Sequence, residues 1–152
     1  MSLFLDLDDV YLSEELRSIR RTIRRFIDEE VKPHADRWED EGRVPREVYL
    51  RMGELGILGM PYPEAYGGSD LGLFGTLVLG EELGRSTYGG VAGAIALQTD
   101  MSAGHLARHG SAPLKERYLR DIVAGRIVCS TAVTEPDAGS DVASLKTSAV
   151  LD

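Results

Sequence analysis

The run Thr131-Ala-Val-Thr-Glu-Pro-Asp-Ala-Gly-Ser-Asp141 gathers the densest set of groups able to do chemistry in this chain. A β-prone stretch, Ile127 to Val133, leads into it. Thr134 brings a hydroxyl and an amide N–H to the end of that stretch, both able to bond a heterocycle's carbonyl or ring nitrogen. Pro136 stiffens the turn, and Gly139 lets bare backbone come close to a ligand. Successive amides near Gly139 and Ser140, with the Ser140 hydroxyl, could cradle a pyrophosphate without any lysine. Glu135 and Asp141 look like paired acids, but short acidic side chains in turns more commonly hold the turn by bonding backbone amides. On residue chemistry alone, a plain structural turn weighs about as much as a ligand site.

Few other residues compete. Gln98 and Thr99 follow an apolar run, Val91 to Leu97, where they either border a pocket or satisfy each other in the core. His105 and His109 sit one helical turn apart, yet without the glutamate of a metalloprotease pattern and with Arg108 beside them; no metal site is expected. Cys129 has no partner for a disulfide and reads as a small buried hydrophobe.

Helices must position these groups. Ser13 caps a helix whose apolar residues Leu16, Ile19, Ile23, Phe26, Ile27 and Val31 recur at three- and four-residue spacing. Pro33 is a kink point, helical character reaches toward Trp38, and Gly42 ends it. A short second helix starts at Pro45, presents Val48, Met52 and Leu55, and stops at Gly56. Residues 57–70, rich in Pro and Gly, form an ordered loop. Ser69 or Asp70 caps a third helix with Leu73, Leu77 and Leu83 inward, ending near Gly84. Tyr88 to His109 is expected to be a buried central helix, its glycines tolerated because neighbours approach closely. Ser111 caps a fifth, with Leu114, Tyr118, Ile122 and Val123 inward and Gly125 as its stop. Beyond Arg126 the pattern turns strand-like, over 127–134 and 145–151. The fold class is mainly α: an up-and-down, bundle-like N-terminal domain over 1–125, then the first strands of a truncated β-barrel-type domain over 126–152.

Composition narrows the function. With 25 acidic against 17 basic residues and a net charge of −8, no nucleic-acid partner is expected. The basic stretch Arg17 to Arg25 is followed at once by Asp28, Glu29 and Glu30, as on a solvated helix face. Asp6, Asp8 and Asp9 interrupt the N-terminus before an apolar run develops, so no secretory signal is expected, and the longest apolar stretch, Val91 to Leu97, is far too short to span a bilayer. The acidic run itself reads as a frayed, solvated end. A cytoplasmic location is the simplest expectation.

The stretch from Ala132 to Ala143 resembles the Val-Thr-Glu-Pro-x-Ala-Gly-Ser-Asp signature of the acyl-CoA dehydrogenase family. Other segments agree: Phe26-x-x-x-Glu30-Val-x-Pro33, the Leu55 to Gly68 loop with Pro-Glu-x-Tyr66-Gly-Gly68, and Glu81-Glu-Leu-Gly-Arg85. Members of that family hold FAD and remove two hydrogens from the α and β carbons of an acyl-CoA thioester, giving a trans-2-enoyl-CoA as in fatty-acid β-oxidation. A glutamate base takes the α proton and the flavin accepts the β hydride.

By that resemblance Thr131, Val133 and Thr134 would meet the flavin ring. Gly139 and Ser140 would lie near the FAD pyrophosphate, with Ser140 also lining the substrate channel and Gln98 bordering the acyl pocket. Position 131 departs from the aromatic residue of several members, and Asp137 stands where Gly is frequent. The family's catalytic glutamate belongs to a C-terminal domain, so no catalytic residue is assigned here, Glu135 included. The resemblance further implies an electron-transfer flavoprotein or similar acceptor as partner and a homo-tetramer for the whole enzyme. The chain thus reads as the N-terminal part of an FAD-dependent dehydrogenase, inactive alone. A short binding partner of a full-length subunit, or a related flavoenzyme such as an acyl-CoA oxidase, are the rival readings.

Overall fold

The computed structural model describes residues 11–150; the acidic run Asp6 to Asp9 and position 151 of the second expected strand lie outside the described residues. Helix α1, Glu14–Phe26, begins where Ser13 accepts a hydrogen bond from the Leu16 amide at 3.2 Å, with Glu14 and Glu15 in the first turn where the helix dipole favours them. Pro33 does not break the rod. It has no N–H for the carbonyl four residues back, and the chain passes through a π turn, Ile27–Val31, in which Lys32 donates to the Ile27 carbonyl instead. Helix α2, Lys32–Glu41, continues to Gly42, which ends it in the left-handed region at φ 65°.

Helix α3, Arg46–Glu54, follows, with Pro45 at its cap rather than its first residue. The loop after it is ordered and largely inward: Ile57, Leu58, Met60 and Tyr62 are buried, and a 3-10 turn spans Glu64–Tyr66. Helix α4, Gly72–Arg85, is entered from Leu71, and neither Ser69 nor Asp70 caps it with a side chain. Its expected apolar face is also corrected. Leu73, Phe74 and Leu77 are exposed, while Gly75, Val78, Leu79 and Leu83 face the core.

Helix α5, Gly89–Ala96, passes through a second π turn, Leu97–Ser102, into α6, Ala103–His109. This rod is not buried all round. Val91, Ile95, Gln98, Thr99 and Ala103 face inward, and a Cβ at Gly89, Gly93 or Gly104 would meet open space. Only Gly90 is crowded, by the Glu39 carboxylate, which accepts the Val91 amide at 3.0 Å and so caps α5 from another helix. Helix α7, Ala112–Val123, buries Leu119, Ile122 and Val123 but leaves Leu114 exposed, another departure from the expected face.

Helix α1 packs on α4, α4 and α2 on α5, and α6 on α7. The main core runs through Ile23, Phe26, Val31, Met52, Leu58, Val78 and Ile95. Each fully buried aliphatic side chain there stabilises by roughly 2–3 kcal/mol. A second cluster, Tyr62, Ala103, Leu119, Ile122 and Val123, joins α6 and α7 to the loop, with Ile127 and Cys129 against it.

The described residues contain no strand. Residues 127–134 run without regular structure, and beyond them there is one isolated bridge, Glu135 with Ala138, and a 3-10 turn, Val142–Ser144. A β-prone segment becomes a strand only when a second backbone completes its hydrogen bonds, and within this stretch none does.

Candidate functional site

After α7 the chain is pinned before it is released. Gly125, at φ 73°, lies so close to the Tyr49 carbonyl that a Cβ would stand 2.0 Å from that oxygen. Arg46 donates to the Arg126 carbonyl at 2.5 Å. From there burial alternates: Arg126, Val128 and Ser130 are exposed, while Ile127, Cys129 and Thr131 are half-buried. That is the period-two signature of an extended segment lying on a surface.

The surface is the second π turn. Gln98, 1% exposed, donates from Nε2 to the Ile127 carbonyl at 3.0 Å and accepts the Cys129 amide on Oε1 at 2.7 Å. The Ser102 and Thr131 hydroxyls are 2.8 Å apart. On the loop side, the Tyr62 hydroxyl donates to the Thr99 carbonyl, and burial pushes that phenol's pKa up. Thr99 turns its own hydroxyl to the Asp100 carboxylate at 3.1 Å and the Ile95 carbonyl at 3.3 Å. Gln98 and Thr99 therefore do not satisfy each other. Burial also pushes the Cys129 thiol's pKa up.

The turn itself is closed by its own backbone, Glu135 N–H to Ala138 O at 2.8 Å and Ala138 N–H to Glu135 O at 3.2 Å, across Pro136 and Asp137. The Glu135 carboxylate accepts the Thr147 hydroxyl, the Lys146 amide at 2.9 Å and the Thr147 amide at 2.8 Å. Led by the Thr147 hydroxyl, these bonds hold its pKa below the ordinary carboxylate value. Asp141 accepts the Ser144 hydroxyl at 2.5 Å. Both acids are thus occupied in holding the turn.

Val133, Thr134 and Ser140 are exposed, and Gly139 is half-exposed between them. The glycine at 139 has no internal cause. Its φ is not in the left-handed range, and a Cβ there would meet only Thr134 Cγ2 at an ordinary 3.9 Å. Bare backbone and two hydroxyls thus face outward, a surface that suits a ligand with heterocyclic and phosphate groups. Of the expected site residues, Thr134, Gly139 and Ser140 come together. Val133 lies alongside, Thr131 turns its hydroxyl to Ser102, and Gln98 lies behind the segment with both ends of its amide bound. His105 and His109 are exposed, and among the described residues no group of His, Cys, Asp and Glu could hold a metal. A cavity of about 340 Å³ between Tyr62, Thr76, Asp100 and Arg108 lies elsewhere on the rod and is lined by none of the turn residues.

Residues 13–126 match the family model described as acyl-CoA dehydrogenase, N-terminal domain. The chain belongs to the acyl-CoA dehydrogenase family. It is 36% identical over 146 residues to the mitochondrial isovaleryl-CoA dehydrogenase of Pongo abelii, covering 93% of this chain and 34% of that protein. The crystal structure of an acyl-CoA dehydrogenase from Geobacillus kaustophilus is similar with a TM-score of 0.85 at 36% identity, over 93% of this chain and 37% of the other. A glutaryl-CoA dehydrogenase from Mycobacterium smegmatis in complex with FADH2 is similar with a TM-score of 0.81 at 29% identity, over 91% and 36%. The chain therefore spans about a third of the length of these relatives. Among the described residues no helix is long and apolar enough to cross a membrane.

Sequence reasoning missed the parts played by Ser102, Tyr62 and the Gln98 amide. A signal was present for part of this: polar residues at 98 and 102 interrupt an apolar helix.

Proposed function

We propose that this chain forms the N-terminal helical domain and one flavin-facing wall of an FAD-dependent acyl-CoA dehydrogenase. We place the domain division at 125/126. The observation that carries the reading is the outward turn of Val133, Thr134, Gly139 and Ser140, exposed or half-exposed and, among the described residues, without a close contact that calls for the glycine. It coincides with the family signature, and one solved relative is a complex with FADH2.

FAD, when bound, would supply the acceptor for a hydride leaving the β carbon of an acyl-CoA thioester. The residues of this chain bind and orient. The Thr134 amide and hydroxyl would bond polar atoms of the flavin ring, with Val133 and the backbone of Thr131 beside it. Gly139 and Ser140 would approach the pyrophosphate, and Ser140 would also meet the substrate. Glu135 takes no proton in this scheme, because its carboxylate is bound by Lys146 and Thr147. The base belongs to residues other than these. The resulting enoyl-CoA product, an electron-transfer flavoprotein or similar acceptor, tetrameric assembly and a cytoplasmic site of action complete the proposal.

The test is spectroscopic. A polypeptide containing this chain and matching the relatives' full length should purify yellow, and a panel of acyl-CoA thioesters should bleach it in the presence of an acceptor dye. The 152-residue chain alone should do neither. A full-length protein that binds no flavin would overturn the reading, as would a fragment that is itself yellow and active.

A further inference from the structure

We infer that the π turn Leu97–Ser102 sets the register of the segment leading to the flavin-facing turn, and that Gln98 is its positioning residue. The inference rests on the reading above that Val133 to Ser140 faces a cofactor.

Two π turns occur among the described residues, and only the first is accounted for by a proline. The first, Ile27–Val31, precedes Pro33. The second has no proline within it or in α6, yet Ala103 still donates to the Gln98 carbonyl five residues back. A π turn in place of an α turn weakens the helix and persists where surrounding contacts favour it. Here those contacts come from both sides. Tyr62 takes the Thr99 carbonyl, while Gln98 and Ser102 reach the segment at 127, 129 and 131.

The chemistry of Gln98 suits the task. A carboxamide is a neutral side-chain group that carries a donor and an acceptor fixed in one plane. Its Nε2 takes the carbonyl of Ile127 and its Oε1 the amide of Cys129, the two groups flanking Val128. That is the pattern by which one residue of a parallel strand bridges its neighbour. Gln98 therefore does in side chain what a missing strand would do in backbone. The Ser102–Thr131 hydroxyl pair repeats the attachment further on.

Register is what this secures. A slip by one residue would exchange inward Ile127, Cys129 and Thr131 with outward Val128, Ser130 and Ala132. The Thr134 amide and everything after it would move with the slip. With both ends of its amide bound inside the protein, Gln98 acts on a ligand through residues 127–134 and not by touching it. This replaces the expectation that it lines the acyl pocket.

The experiment uses Gln98→Met, which keeps length and volume but has no donor and only a weakly accepting sulfur, and Gln98→Asn, which keeps both groups but draws them back by one methylene. Hydrogen exchange of the Cys129 amide is read in the 152-residue chain. It should accelerate about tenfold in either variant, the weight of one buried hydrogen bond, while amides of Ala103–His109 exchange as before. In the full-length flavoprotein the same variants should weaken FAD about tenfold and shift the flavin absorption band. Unchanged Cys129 exchange overturns the inference. So does faster exchange with flavin affinity and spectrum unmoved, a result that leaves the proposed function standing. A wild-type protein without flavin sinks the proposed function, and Cys129 exchange then decides the Gln98 assignment alone. Should the Met variant fail to fold, the Asn variant gives the same reading.

Discussion

Replacing Glu82 by Gln should destabilise the chain by about 2–3 kcal/mol. The carboxylate is 2% exposed on the inner face of α4. Arg24 donates to it twice, from Nε at 2.9 Å and Nη2 at 2.7 Å, and Arg85 and Arg20 lie at 3.6 and 3.8 Å. A charge-assisted hydrogen bond contributes roughly 1.5–3 kcal/mol. Gln keeps one acceptor, so one Arg24 bond survives in neutral form, while its NH2 turns a donor toward a donor. Water offsets part of the loss, because the Arg24 side chain is 43% and the Arg85 side chain 63% exposed. Arg20, at 12%, recovers far less. For a chain of this size the change amounts to about 4–12 °C in thermal midpoint. Urea unfolding followed by circular dichroism, with an unchanged slope, measures it. The neighbouring Glu81 is the control: it is 61% exposed beside Arg20, and Glu81→Gln should cost no more than about 1 kcal/mol. If the two variants agree within about 0.5 kcal/mol, the burial reasoning is wrong.

Two further expectations follow from the turn and the glycines. Because the folded-state pKa of Glu135 is lowered, its bonds to Lys146 and Thr147 contribute fully above the ordinary carboxylate value of 4.5 and are lost as pH falls through the lowered one. The amide signals of Lys146 and Thr147 should therefore titrate together on acidification and flatten in Glu135→Gln; signals that ignore both changes would refute the anchoring. Gly125→Ala places a Cβ 2.0 Å from the Tyr49 oxygen at a φ of 73° and should cost about 2–4 kcal/mol. Gly139→Ala meets nothing nearer than 3.9 Å and should leave the thermal midpoint unchanged while weakening FAD in the full-length protein. A destabilised Gly139→Ala would show that the glycine serves the fold.

The helices were legible because their causes are local. Ser13, Gly42, Gly56 and Gly125 stand at or beside helix ends, and the period of Leu16, Ile23 and Phe26 marks a face that is in fact buried. Inward faces were less legible on α4 and α7, where Leu73, Leu77 and Leu114 are apolar yet exposed. Hydrophobic pattern reports what a helix is able to bury, and its neighbours decide which side is covered.

The same division holds at the site. Residue types in Thr131 to Asp141 were enough to mark a turn with a glycine and outward hydroxyls, because turn chemistry acts over a few residues; that Glu135 takes the amides of Lys146 and Thr147, and Asp141 the Ser144 hydroxyl, was not legible there. Sequence similarity was enough to name the family. Only the tertiary structure decided that Ile127 to Thr131 lies against a π turn instead of another strand, and that Gln98 is spent on the backbone. Those bonds join residues 29 and 31 positions apart. No local propensity encodes them, since each forms only after α6 and α7 have packed.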